Sequence, residues 1–135
     1  MLDTPLLLAH QAIRRLTAKA LSTLGISVDE ARVLEVLGGP ERVSMGQVAA
    51  KSGLRISALS KLADRLEARG LARRVEGDDD TRRVYLVLTP LGERLRIQAL
   101  AVIAKTDKHL TEKIGSWELD RLEKLLSKIQ QQKSL

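Results

Sequence analysis

Apolar residues recur at three- and four-residue spacing along most of this chain and alternate with period two in one short stretch near its middle. The first periodic segment predicts a helix over residues 4–24. Leu6, Ala9, Ile13, Leu16 and Ala20 form its stripe, Thr4 is placed to cap it, Pro5 suits the first helical position, and Gly25 stops it. Leu7 and Leu8 lie beyond that stripe. They either widen the core face or meet a second subunit, and clustered exposed leucine favours the subunit. Ser27-Val28-Asp29-Glu30 reads as a capping box opening a helix over 27–37, with Val33, Leu34 and Leu37 inward and Gly38-Gly39-Pro40 at its end. An extended piece around Arg42-Val43 can add an edge to a small sheet.

The next stretch, residues 43–89, organises the rest. Ser44 caps a short helix, with Gln47 three residues later to complete a capping box, and Gly53 makes the turn that follows. A second helix begins at Arg55 or Ile56 and runs to Arg69. Ile56, Leu59, Leu62, Ala63 and Leu66 share its inward face, while Ser57, Ala58, Lys61, Asp64 and Arg65 share the opposite one. Small residues early on that outer face permit close approach to a surface, and Lys61 and Arg65 add positive charge one turn apart; a helix entering the major groove needs both. Gly70 breaks the pattern. Strands over 71–75 and 82–88 then flank a wing loop over 76–81, and Val84, Leu86 and Leu88 carry the period-two alternation.

Thr89-Pro90 repeats the cap-plus-proline device and opens a long helix to residue 110. Leu91, Leu95, Val102 and Thr106 face one way, and Ile97, Leu100, Ile103 and Ala104 widen the apolar surface, as in a helix buried on more than one side. Gly115 ends the segment. Ser116 is placed to cap a last helix with a seam of Leu119, Leu122, Leu125, Leu126 and Ile129.

The central stretch resembles the MarR family of bacterial winged helix-turn-helix regulators. The likeness lies in Lys61-Leu62-Ala63-Asp64-Arg65-Leu66-Glu67-Ala68-Arg69-Gly70-Leu71, in Asp80-x-Arg82, and in Leu88-Thr89 closing the second wing strand. It extends more loosely over nearly the whole chain. It implies a mainly α fold with a small β-wing: a winged helix-turn-helix over 27–89, a long connecting helix over 90–110, and dimerisation helices over 1–24 and 111–135, in a single domain. It further implies repression relieved by a small molecule, often an anionic aromatic, bound between the dimer region and the DNA-binding lobe. The residues of such a pocket are not legible in the sequence. In the family, the residues matching Asp80 and Arg82 are a wing signature in which the arginine supports the wing or meets the DNA backbone.

Composition narrows the field. At 135 residues, 44% hydrophobic and 30% charged, the chain suits one soluble domain. Aromatics make up 1%, so the core rests on Leu, Ile, Val and Ala. The net charge of +6 points to a polyanionic partner, although ribosomal or membrane-surface roles fit it too. With no cysteine, disulfides, thiolate metal sites and thiol redox sensing are excluded. The N-terminal MLDTPLLLAH lacks the basic region and apolar length of a signal peptide or spanning helix, so a cytoplasmic protein without membrane contact is expected.

Catalytic chemistry finds little support. His10 and His109 are far apart, neither belongs to a recognisable triad, and there is no Gly-rich phosphate loop. Asp78-Asp79-Asp80 could be read as a metal-ligand set for an enzyme, but it lacks the Gly and distal Glu of a calcium loop; a solvated turn with Asp80 tied to Arg82 is the better reading. Neither an enzyme nor a metal or cofactor site is expected.

The basic residues Lys51, Arg55, Lys61, Arg65, Arg69, Arg73, Arg74, Arg82 and Arg83 stand where a winged helix meets DNA, although six acids within residues 43–89 reduce these nine charges to +3. The expected DNA-contacting set is Arg55, Ser57, Ala58, Ser60, Lys61, Arg65, Arg82 and Arg83. Ser57, Ala58 and Lys61 lie nearest base edges, and Arg55, Arg65, Arg82 and Arg83 hold phosphates. Arg55 stands where a small capping residue is usual, costing about 1 kcal/mol unless it reaches a phosphate. The tip Gly77-Asp78-Asp79 lacks the basic residue that family wings often insert in the minor groove. The resemblance implies a homodimer, whose two copies would bind a pseudo-palindromic duplex. The alternative is a winged-helix dimer kept for protein–protein contact, with little DNA affinity.

Overall fold

The computed structural model describes residues 1–78 and 82–133. Six helices and three strands follow in the order α1 (Asp3–Leu21), α2 (Val28–Leu37), β1 (Val43–Ser44), α3 (Met45–Ser52), α4 (Ile56–Ala68), β2 (Ala72–Glu76), β3 (Val84–Leu88), α5 (Pro90–Ile114) and α6 (Ser116–Gln130). A mainly helical body thus carries a small antiparallel sheet of strand order β1-β3-β2.

Local chemistry accounts for most boundaries. Both expected capping boxes form: Ser27 Oγ accepts from the Glu30 N–H and Ser44 Oγ from the Gln47 N–H, while Glu30 and Gln47 reach back to the cap residues. Gly53 and Gly70 turn the chain at φ 73° and 69°, in the left-handed region that other residues enter at a cost. Thr89 caps α5 through Gly92 N–H, and its hydroxyl donates to the Gly70 carbonyl at 2.6 Å. One threonine thereby joins the end of α4, the wing and the start of α5.

Several boundaries differ from the sequence reading. α1 starts at Asp3, with Leu2 at its cap position and no side-chain cap bond, so Thr4 and Pro5 lie within the first turn. It ends at Leu21, and a 3₁₀ turn over Ser22–Leu24 leads to Gly25 at φ 68°. α5 runs one turn past residue 110, to Ile114, and Gly115 rather than Ser116 occupies the cap position of α6. The strands begin at Ala72 and Val84, so Arg82 and Arg83 precede β3, where the Gly77 N–H donates to the Arg83 carbonyl at 3.0 Å and closes the hairpin. Terminal pairing, not alternation, decides these ends.

The core gathers Leu21, Val33, Leu34, Val48, Leu59, Leu66 and Leu86, all fully buried, from α1, α2, α3, α4 and β3. Ile56 does not join the inward face of α4: at its first helical position it is 56% exposed. Of α5, only Gly92 and Ala99 are buried among the described residues, so the wide apolar surface of that helix is only partly covered within one chain. Gly92 is small for a reason of packing, because a methyl there would overlap the Leu71 carbonyl. Among the described residues α1 buries only Leu21 and α6 none. Leu6, Leu7, Leu8, Ile13 and Leu16 of α1, and Trp117, Leu122, Leu125 and Ile129 of α6, are all exposed. No described helix is long and apolar enough to cross a membrane.

Candidate nucleic-acid interface

The site is built on α3, the Gly53 turn, α4 and the β2–β3 wing. The turn is held from within by Ser52, a buried residue that the sequence reading passed over. Its hydroxyl donates to the Val48 carbonyl at 2.6 Å and accepts from the Leu54 N–H at 3.4 Å. Arg32 of α2 donates to the Ser52 carbonyl, tying the turn to the body. The angle between α3 and α4 is therefore fixed by buried polar contacts as well as by leucines.

Leu59, Leu62, Ala63 and Leu66 anchor α4 inward, and Ser57, Ala58, Lys61 and Arg65 lie exposed on the other side. Arg55 is exposed at the N-terminal end of the helix and, as its residue type implies, makes no side-chain cap bond. Among the described residues Arg55, Lys61 and Arg65 enter no ion pair. Three uncommitted cations thus surround a patch of small side chains.

Two members of the basic set are engaged elsewhere. Arg74 of β2 reaches across to α4, pairing with Asp64 at 2.8 Å and with Glu67, and donating to the Ser60 carbonyl at 2.9 Å. A weaker contact reaches Ser60 Oγ at 3.4 Å, so Ser60 borders the wing rather than the open centre of the face. Arg69, at the C-terminal cap of α4, donates to the buried Glu30 carboxylate and to the Gly25 carbonyl, both at 3.2 Å. Both arginines clamp α4: Arg74 to the wing, Arg69 to the start of α2. Such pairings have no local periodicity, and nothing in the sequence marks them.

On the wing, Arg73, Arg82 and Arg83 are exposed. The expected contact between Asp80 and Arg82, and most of the Asp78-Asp79-Asp80 run, lies outside the described residues. Tyr85 instead carries the Arg42 guanidinium over its ring at 5.3 Å, which joins β3 to the loop before β1.

Behind the helix-turn-helix, α1, α2 and α5 enclose a cleft of about 230 Å³. Arg14, Arg32, His10 and Ile103 are among its walls, together with the acids Glu35 and Asp107. Asp29 sits beside it, accepting from Arg14 at 3.0 Å with Arg32 at 3.8 Å. The Arg14 hydrogen bond, opposed by partial burial, holds the Asp29 carboxyl below its ordinary range, and the fields of Arg14, Arg32 and Arg65 add to it.

The helix-turn-helix of α3 and α4 followed by the β2–β3 hairpin, with an exposed small-plus-basic face on α4, defines a winged helix-turn-helix. The profile of the MarR family matches residues 24–83. A MarR-family transcriptional regulator from Rhodococcus sp. RHA1 is 30% identical at a TM-score of 0.83, with 94% of this chain and 91% of that one covered. The transcriptional regulator PA4135 superposes with a TM-score of 0.91 at 25% identity, over 99% of this chain and 98% of that one. CouR from Rhodococcus jostii RHA1, bound to p-coumaroyl-CoA, gives a TM-score of 0.86 at 26% identity, over 100% of this chain and 95% of that one. No curated protein matches in sequence. The chain belongs to the MarR family of transcriptional regulators.

Proposed function

We propose that this regulator acts as a homodimer that binds a pseudo-palindromic DNA site and represses transcription until a small anionic ligand releases it. The observation that carries the DNA-binding part is the division of labour on α4. Arg69 and Arg74 are spent on holding the helix, while Arg55, Ser57, Ala58, Lys61 and Arg65 stay exposed on one rigid surface. In this reading Ser57, Ala58 and Lys61 face base edges, and Arg55, Arg65, Arg82 and Arg83 hold the backbone; Ser60 contributes at the margin next to Arg74.

The apolar faces of α1 and α6 support the dimer, because so many exposed large residues on two helices need a partner surface. For the ligand, the cleft between α1, α2 and α5 lies between those helices and the DNA-binding lobe. Its Arg14 and Arg32 suit one anionic group, and Glu35 and Asp107 on the same walls disfavour a second. A carboxylate there competes with Asp29 for both guanidinium groups.

Fluorescence anisotropy with genomic fragments at physiological salt tests the proposal. Sequence-selective binding that falls with salt, by a dimer, is the expected result. A dimer with no preference over random duplex would instead support the protein-contact alternative, which the acidic Gly77-Asp78-Asp79 tip motivates.

A further inference from the structure

A second cavity, of about 350 Å³, opens between the end of α4 and the N-terminal half of α5. Leu91, Arg94, Leu95 and Gln98 line it at three- and four-residue spacing along one face of α5, and Leu71 and Arg69 close it from the end of α4. No acid is among these six residues. Leu71 is buried and Leu95 half-buried, whereas Leu91 is 47% exposed although it borders the cavity. Arg94 is exposed and enters no ion pair among the described residues. Arg69 is engaged only on one side, by Glu30 and the Gly25 carbonyl.

We infer that this cavity is a binding site for a small aliphatic monocarboxylate, held by Arg94 and Arg69 over a leucine floor, and that its occupancy loosens α4. The charge selects an anion. The three leucines offer branched aliphatic surface and suit an aliphatic body, and the volume falls in the range of small-ligand pockets. DNA is a poor occupant, because the cavity lies at the C-terminal end of α4, on the order of 12 Å along the helix from Lys61. The consequence follows from Arg69. A carboxylate that draws its guanidinium away from Glu30 removes the contact fixing the end of α4 to the start of α2. Glu30 keeps its capping bond to the Ser27 N–H, so α2 itself persists. Only this effect on DNA rests on the regulator reading; the site itself does not.

The test uses the full-length protein labelled at leucine methyls and arginine Nε, titrated with octanoate, with acetate and 1-octanol as controls. Saturable shifts at Leu71, Leu91, Leu95 and the Arg69 and Arg94 Nε signals are expected with octanoate alone. Arg94→Gln should weaken binding about tenfold or more, since it removes a charge-assisted hydrogen bond, and Arg94→Lys should restore part of it. Shifts confined to the α1–α2–α5 cleft, or equal responses to 1-octanol, would overturn the site. In the companion DNA titration octanoate should release duplex from the native protein and not from Arg94→Gln. Octanoate bound at this cavity without change in DNA affinity overturns the coupling. A protein that binds no DNA refutes the regulator reading instead, and the methyl shifts still decide the site.

Discussion

Arg69 donates to Glu30 across 39 residues of sequence, joining the C-terminal cap of α4 to the capping box of α2. Glu30 is 8% exposed, while the Arg69 side chain is 43% exposed, so the carboxylate depends on the guanidinium more than the reverse. Arg69→Ala should therefore cost about 1–2 kcal/mol, between the values for surface and buried pairs. Urea denaturation measures this. The salt slope of DNA binding should stay unchanged, because this arginine holds no phosphate; a slope lowered by about two units for the dimer would return Arg69 to the DNA-contacting set.

Reading and holding should separate on mutation. Lys61 lies on the open face of α4 and Arg82 at the wing. Lys61→Ala should alter sequence preference at one position per half-site, at the low end of the ~1–3 kcal/mol of a good base contact. Arg82→Ala should weaken specific and random duplexes alike and lower the salt slope by about two units for a symmetric dimer. Binding selections on randomised duplexes, with melting curves run alongside, would show the difference. Equal losses for Lys61→Ala on both kinds of DNA would mean that the reading face lies elsewhere.

Sedimentation at micromolar concentration should return twice the chain mass. Leu122→Asp and Leu125→Asp, on the exposed seam of α6, should shift the protein to monomer with little loss of helix content, because α6 buries nothing among the described residues of its own chain. DNA affinity should fall with the dimer. Tight binding by a clean monomer would refute the architecture.

Asp29 gives a pH dependence. Its folded-state pKa is lowered, chiefly by the hydrogen bond from Arg14, so its stabilising contribution is complete above the unfolded carboxylate value and fades as pH drops through the folded one. The melting temperature should therefore fall on acidification below about pH 4, and less steeply in Asp29→Asn than in the native protein. Parallel curves for the two proteins would remove Asp29 from the acid limb.

Gly92→Ala tests the junction of α5 with the wing. Alanine is the better helix former by about 1 kcal/mol, yet its methyl would overlap the backbone carbonyl of Leu71. A net loss of about 1–3 kcal/mol is expected from overpacking. Gly39→Ala, with nothing within 4 Å of the added carbon, serves as the neutral control in the same thermal melts.

What the sequence determined by itself is what short-range chemistry determines. The Ser27–Glu30 and Ser44–Gln47 boxes, the Gly53 and Gly70 turns and the Thr89-Pro90 start all act within a few residues, so their partners are visible in the string. Periodicity likewise placed Leu59, Leu62 and Leu66 on one face of α4, and the Lys61–Leu71 run carried the family. Ile56 shows the limit of that reasoning: it has the right spacing, but it stands on the first turn, where the body no longer covers the helix. The α1 and α6 stripes were equally legible, yet one chain leaves them open, because periodicity tells which residues share a face and not what lies against it. The tertiary structure alone decided the fates of the arginines. Arg69 and Arg74 look in sequence like Arg65 and Arg73, but Glu30 and the Asp64–Glu67 pair meet only the first two. An ion pair depends on where the fold brings a charge within about 4 Å, a distance that sequence separation does not encode.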